Sequence, residues 1–504
     1  MNQRASTERA LLVATCLSEM GYYGAVGQML LLSRAFYSDR ALWAALALHK
    51  GPGGRTRLMH AAKMNNSARA WFLVERGARV GCTSLLDESA MSLACLGGFE
   101  AMVCLLVDKA PGEALSARAS DGATPLIWAS GIGHLGIARL LLLDKGADVN
   151  GSTKLGVTAL CAASSKGHEG LVRFLTTCHG IDLNAVTASG NTAVTLACLG
   201  KHSAVVRCLA EAGAAVAAVR PSDGKTALLL AMQAKQIDTV TVSCLLKHGA
   251  GATINAVSAA GDTALSRASA AGNTTLIHLL ASHGAGTDVA AAGSAPLLLA
   301  LNKGHSDAAL ALIRYGADCG VAENAPLQVA ARKGLVDVVR ALLQGGASTL
   351  AADAGGCTVL HMAARLGSVE IVRALLDGGA SCKAADAAGC TALHFAAARG
   401  SHECSAPIIA LLGARGARAS AATSGAGAIV IWGTVLPFIQ GTTPLMLAAH
   451  SGIVEAAKAL RATAHDARAR DSQGKTAHDY AGDSKMRACI DALTREVRIE
   501  GEDE

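Results

Sequence analysis

The sequence predicts an all-α repeat solenoid, and three observations carry that reading. A threonine returns at a near-constant interval. A short, alanine-rich apolar stretch with helical spacing follows it. A glycine then closes a second apolar stretch before the next threonine arrives. The threonines are Thr56, Thr124, Thr158, Thr192, Thr226, Thr263, Thr358, Thr391, Thr443 and Thr476, with Ser89, Ala295 and Ala325 filling the gaps. Successive positions lie 33, 35, 34, 34, 34, 37, 32, 30, 33, 33, 52 and 33 residues apart. Such a period means one supersecondary unit repeated about thirteen times, each copy burying its apolar face only against its neighbours.

Each part of the unit has a physical reason. The clearest copies run from Asp121 to His134 and from Gly389 to Ala397; others run from Cys357 to Ala364 and from Gly441 to Ala449. Asp and Gly before the threonine suit a tight turn, because Gly tolerates positive φ and Asp bonds its own backbone. Thr caps the first helix by accepting an orphan N–H. Pro125, Pro296, Pro326 and Pro444 take the first helical position, where a missing N–H costs nothing. Leu and paired Ala follow at helical spacing, and Ala lets neighbouring helices approach closely. A break comes next, often Gly-His as at Gly133-His134, Gly167-His168 and Gly304-His305. The second helix follows, for example Leu135 to Leu143 or Val369 to Leu376, and ends on Gly-Ala as at Gly146-Ala147 or Gly316-Ala317. Gly just past a helix is the expected stop signal.

From about Gly53 to Leu493 this pattern resembles the ankyrin repeat family. The resemblance implies an ankyrin-repeat solenoid of helix–turn–helix units with β-turn or hairpin loops, whose usual role is to bind protein. The copies beginning at Ser89, Ala295 and Ala325 lack the threonine and are expected to have less ordered turns. The longer interval after Thr226 is expected to bulge as a loop.

Composition bounds the function. With 51% hydrophobic but only 3% aromatic residues, the interior is one of Ala, Leu and Val. A net charge of +6 over 504 residues gives no reason to expect nucleic acid. The fifteen cysteines include no pair within four residues, so zinc-ligand spacing is missing and reduced thiols are expected. That points to the cytosol, or the nucleus. No basic-then-apolar leader opens the chain, and the longest apolar stretch, Ala426 to Ile439, is too short to span a bilayer. The expectation is a monomer with protein partners, no membrane, no metal and no cofactor.

Two triplets, Gly224-Lys225-Thr226 and Gly474-Lys475-Thr476, imitate the end of a phosphate-binding loop. That motif needs a further Gly where this chain has Val219 and Ala469. His361 and His394 stand where the resemblance implies a bond to backbone and capping hydroxyl, and His134, His168 and His305 stand in the inter-helix turn. No nucleophile or zinc-protease signature appears, so no catalytic residue is assigned and the chain is expected not to be an enzyme. Arg139, Arg173, Arg207, Arg340 and Arg373 recur fifteen residues after the threonine position, as a solvated face of the second helix.

Ankyrin arrays bind through turn tips and the exposed end of the first helix, seven and eight residues after the threonine. Here those positions hold Lys63, Gly131, Lys166, Asn302 with Lys303, Arg332 with Lys333, Arg365, and Arg399. A cationic stripe of this kind fits an acidic protein surface or peptide. The alternative is that long cationic side chains only solvate an alanine-rich helix.

Two regions break the period. Residues 1–50 read as helices and resemble a degenerate F-box: Leu30-Leu31-Leu32 is followed by Asp39, Leu42, Trp43 and Leu46 at the spacing of that family's ending, without its opening Leu-Pro. The resemblance implies docking, through Leu31, Asp39, Leu42, Trp43 and Leu46, onto the adaptor of a cullin-type ubiquitin ligase. The alternative is a helical cap on the first repeat. The array proper then spans 51–496, with an acidic tail at 497–504. The second break is an apolar insertion at about 420–440, read either as a sticky partner-binding loop or as a translated intron whose removal restores register. Sequencing the mature transcript decides between these, since continuous coding through the stretch excludes the intron.

Overall fold

A computed structural model describes residues 50, 52–86, 88–233, 237–289, 295–320, 326–399, 402–431, 434–461 and 468–500. The F-box-like residues Leu31, Asp39, Leu42, Trp43 and Leu46, position 325 and the last four residues of the tail lie outside them. The chain divides into two compact units, Met1–Ala260 and Gly261–Glu504. Each is a stack of antiparallel helix pairs.

In the first unit the pairs are Arg57–Lys63 with Ser67–Glu75, Ala90–Gly97 with Glu100–Lys109, Pro125–Ile132 with Leu135–Arg139, Ala159–Lys166 with Glu169–Thr176, Ala193–Leu199 with Ser203–Glu211, and Ala227–Ala231 with Thr239–Lys247. In the second they are Ala264–Ala270 with Thr274–Ser282, Pro296–Lys303 with Ser306–Arg314, Pro326–Lys333 with Val336–Gln344, Val359–Leu366 with Val369–Asp377, Ala392–Ala398 with His402–Ala414, and Pro444–Ser451 with Val454–Leu460. Within each unit first helices pack on first helices and second on second. Helices this short are unstable alone, so the apolar contacts between copies hold them. The stack closes on Ser484–Glu500, which sets Met486, Ile490 and Leu493 into the core beside Val454–Leu460.

The helix caps explain the recurring threonine. Thr56, Thr124, Thr158, Thr192, Thr226, Thr263 and Thr443 each accept the N–H three residues on. Where that third residue can accept in return, a reciprocal box forms: Ser266 Oγ takes the Thr263 N–H at 2.9 Å, and His361 and His394 Nδ1 take those of Thr358 and Thr391 at 2.9 Å. Ser89 also caps its helix, with Ser92 Oγ accepting its N–H at 2.8 Å. The expectation of a poorly ordered start at Ser89 is therefore corrected, because serine supplies the same oxygen. Ala295 makes no side-chain cap. The extra length after Thr226 is taken up partly by a 3-10 turn at Ala250–Thr253.

Before several of the caps, as at Thr153, Thr187, Asp353, Asp386 and Asp471, the chain makes one tight turn with three bonds. In the turn at Asp386 the residue's N–H donates to Cys390 O at 2.9 Å, Gly389 N–H donates to Asp386 O at 2.9 Å, and Asp386 Oδ1 accepts Cys390 N–H at 2.8 Å. Gly389 sits at φ 82°, where only glycine is unstrained. Successive turns are tied together, as when Ala387 N–H donates to Gly355 O.

The insertion enters this turn without breaking it. Thr423 N–H donates to Thr442 O at 3.0 Å, Gly441 N–H to Thr423 O at 2.9 Å, and Thr423 Oγ1 accepts Thr442 N–H at 3.0 Å. These are the bonds of the Asp386 turn, with fifteen more residues between the first and last partner. Ser424 still donates to Ala388 O and Gln440 still accepts from Ser472, so the ties to both neighbouring turns persist. The surplus extends as an antiparallel hairpin, β1 (Gly427–Ile431) with β2 (Thr434–Phe438), in the register Gly427↔Phe438 to Ile431↔Thr434.

Two predictions follow from caps and turns. Deleting Gly425 to Ile439 leaves Thr423-Ser424-Gln440-Gly441-Thr442, which reproduces the spacing of the Asp386 turn. Thermal melting should then stay cooperative, with Tm within about 4 °C of the parent, as expected for loss of a surface loop. The second concerns His394, which is fully buried and whose pKa burial pushes down to about 4. Its Nδ1 accepts the Thr391 N–H, so the proton sits on Nε2 and donates to Thr442 O at 3.2 Å. A folded pKa below the unfolded value means this stability is present above about pH 6.5 and is lost as pH falls toward 4, on the order of 3 kcal/mol. Replacing His394→Gln should flatten the fall in Tm across that window.

Candidate functional site

Each first helix ends in a short step before the second helix begins, and that step is built across repeats. The glycine closing the first helix adopts positive φ in most copies, which brings its backbone close to the next repeat. The imidazoles of His134, His168, His202 and His305 lie directly over Gly98, Gly133, Gly167 and Gly272. His168 Nε2 donates to Gly131 O and His202 Nε2 to Ser165 O, each at 3.2 Å. These histidines tie one first-helix end to the next, and among the described residues no cluster could hold a metal. The Lys225 triplet is likewise structural. Its ammonium lies 3.3 Å from Asp223, and Thr226 caps the helix through Leu229 N–H at 3.2 Å.

On these ends Lys63, Lys166, Lys303, Arg332, Lys333 and Arg365 are all exposed. Arg399 departs from that row. Its helix stops at Ala398, and Arg399 adopts an extended backbone at φ −74°, ψ 118° where Ile132 and Lys166 are still helical. The side chain therefore folds back over Gly367 of the preceding repeat, the place a histidine holds elsewhere. It is only 8% exposed, and its Nε and Nη1 have no hydrogen-bond partner. Arg399 is removed from the partner-facing row for this reason.

Some second-helix cations have close partners. On the second helices Arg173 pairs with Glu169 at 2.9 Å, Arg340 lies 3.4 Å from Asp337 and 3.6 Å from Glu370, and Arg139 covers the Phe174 ring at 5.3 Å. On the first-helix ends of the second unit Lys303, Arg332, Lys333 and Arg365 have no carboxylate partner among the described residues.

Charge was the signal that picked out this row, and it overlooked the apolar members. In the first unit the same two positions hold Met64, Leu96, Ile132 and Leu199, all exposed. A hydropathy reading in register would have found them.

The described cysteines are all free thiols. Burial pushes Cys95, Cys198 and Cys390 up to about 12, which keeps them protonated and unreactive. No described helix is long and apolar enough to cross a membrane.

The family model for ankyrin repeats (three copies) matches residues 58–153, 91–187, 151–220, 241–323 and 327–418. Among curated proteins no relative matches the chain.

The Arg399 geometry gives a stability prediction with an internal control. Gly367 and Gly304 have nearly the same backbone, φ 75° and 79°, but a Cβ at Gly304 meets open space while one at Gly367 meets the Arg399 guanidinium. Gly304→Ala should cost about 1 kcal/mol from backbone strain alone, and Gly367→Ala about 2 kcal/mol more. Arg399→Met, which removes buried unpaired donors, should be neutral or stabilising. Urea unfolding of the three variants measures all of this.

Proposed function

Because the chain belongs to the ankyrin repeat family, whose repeats are protein-interaction modules, we propose that it is a non-catalytic scaffold or adaptor whose second unit holds an acidic segment of a partner protein. The observation that carries this reading is the contrast between faces. Arg173 and Arg340 on the outer helices stand beside carboxylates, whereas Lys303, Arg332, Lys333 and Arg365 on the first-helix ends are exposed and have none among the described residues. An unneutralised row steers an oppositely charged partner and fixes its register more than it adds raw affinity. The protein works in a reducing compartment, the cytosol or nucleus, in keeping with its free thiols.

A second reading makes the chain the substrate-recognition subunit of a cullin-type ubiquitin ligase. It rests on the spacing of Asp39, Leu42, Trp43 and Leu46. Affinity purification of the intact chain beside a chain starting at Lys50 tests it. Ligase subunits recovered only with the intact chain support the docking role, and identical partner sets reduce residues 1–49 to a cap.

The groove reading predicts that a fluorescein-labelled polyglutamate peptide binds the full chain with an affinity that falls as salt rises. Exchanging Lys303, Lys333 and Arg365 together for Glu should weaken that binding about a hundredfold, about 3 kcal/mol. Unchanged affinity in fluorescence anisotropy removes the groove as the acidic site.

A further inference from the structure

The first unit has other chemistry at the same register, and it carries a second binding surface. Behind the turn tips lies an open cavity of about 510 Å³. Its walls include Leu155 and Val157 from one turn, Ala162, Ser165 and Lys166 from the helix Ala159–Lys166, and Leu196 from the next first helix. The volume and apolar lining fall in the range of concave binding sites. Leu155 is 63% exposed at the mouth, and Ile132 and Leu199 stand exposed on the repeats to either side. Three large aliphatic side chains in water around an apolar cavity mark a surface that gains by being covered. They also extend the surface over three successive first helices, a reach of about 20 Å at common helix spacings. A small molecule seated in the cavity would leave Ile132 and Leu199 wet, whereas a protein segment lying along the row covers both.

Charge narrows the partner further. Lys166 is the one ionised side chain among the described residues lining the cavity, and no carboxylate stands beside it there. A partner that desolvates this wall must answer the ammonium, or leave a charge buried at a cost of several kcal/mol.

We propose that the first unit binds an extended protein segment in which a bulky apolar side chain fills the cavity and an adjacent Asp or Glu pairs with Lys166. This surface is separate from the cationic row of the second unit, and its occupant differs in needing an apolar anchor.

Random peptides displayed on phage and panned against the full chain test the proposal. Two variants supply the controls: Ser165→Phe, which fills the cavity from an exposed position, and Lys166→Glu, which reverses its charge. Selected peptides should carry Leu, Ile, Met, Phe or Trp next to Asp or Glu. Fluorescence anisotropy on the synthetic peptides should show affinity falling about tenfold or more in each variant. The Lys303, Lys333 and Arg365 exchange should leave these peptides bound, which separates this site from the acidic groove. Failure to select such peptides, selection without the acid, or equal binding to both variants overturns the proposal.

Discussion

The close approach of consecutive first helices is the constraint on which the rest of the molecule depends. Five residues after each cap position stands an alanine: Ala61, Ala94, Ala129, Ala163, Ala197, Ala231, Ala268, Ala300, Ala330, Ala363, Ala396 and Ala448, all buried. A larger side chain there would push adjacent helices apart, and overpacking of this kind costs about 1–3 kcal/mol at each site. With the helices so close, their carboxyl-terminal steps come into register, and the histidine of one repeat can sit over the glycine of the previous one. Within each unit most of the seventh and eighth residues then lie exposed at the first-helix ends, Ala398 and Arg399 excepted. The placement of this row is thus a consequence of packing.

This explains why so much of the fold was legible from sequence. The threonine period encodes a cap, a turn and a helix start together, so local propensity and global packing agree. The two histidine boxes at His361 and His394 were implied by the resemblance to ankyrin repeats. Reading failed where equivalence was chemical instead of literal. Ser89 was discounted although its hydroxyl caps as threonine does. Arg399 was assigned to the surface because its distance from Thr391 matched its neighbours. What spacing could not show is that its helix ends one residue early, which turns the side chain onto Gly367. The exposed Met64, Leu96, Ile132 and Leu199 were passed over because only charge was followed along that row.

The insertion at 420–440 illustrates the same division between backbone and side chain. Composition marked it as foreign, and a sheet of two strands is marginal by itself. Yet the hydrogen bonds that define the turn involve only Thr423, Gly441 and Thr442, so the chain between Ser424 and Gln440 is free to lengthen. Thr423 stands where Asp353, Asp386 and Asp471 stand in their turns, and its hydroxyl accepts from Thr442 N–H as those of Thr153 and Thr187 do in theirs. Nothing in the neighbouring turns has to move, because their ties run through Ser424 and Gln440 at the base. A repeat can therefore acquire a new surface element at the cost of loop closure, which grows slowly with length.

Why the two units carry different chemistry on equivalent positions then has a physical answer. The seventh and eighth residues contribute little to the stack, since each lies past the alanines that set helix spacing. They are consequently free to vary without loss of fold, while the buried alanine is not. In the first unit that freedom is spent on aliphatic side chains around a cavity with one lysine; in the second it is spent on unneutralised cations. An apolar site selects by shape and holds through desolvation, whereas a cationic row attracts at a distance and discriminates by charge. A partner on the second unit would be held mainly by charge and be strongly sensitive to salt, whereas one on the first unit would be held mainly by desolvation, with only its contact to Lys166 sensitive to salt.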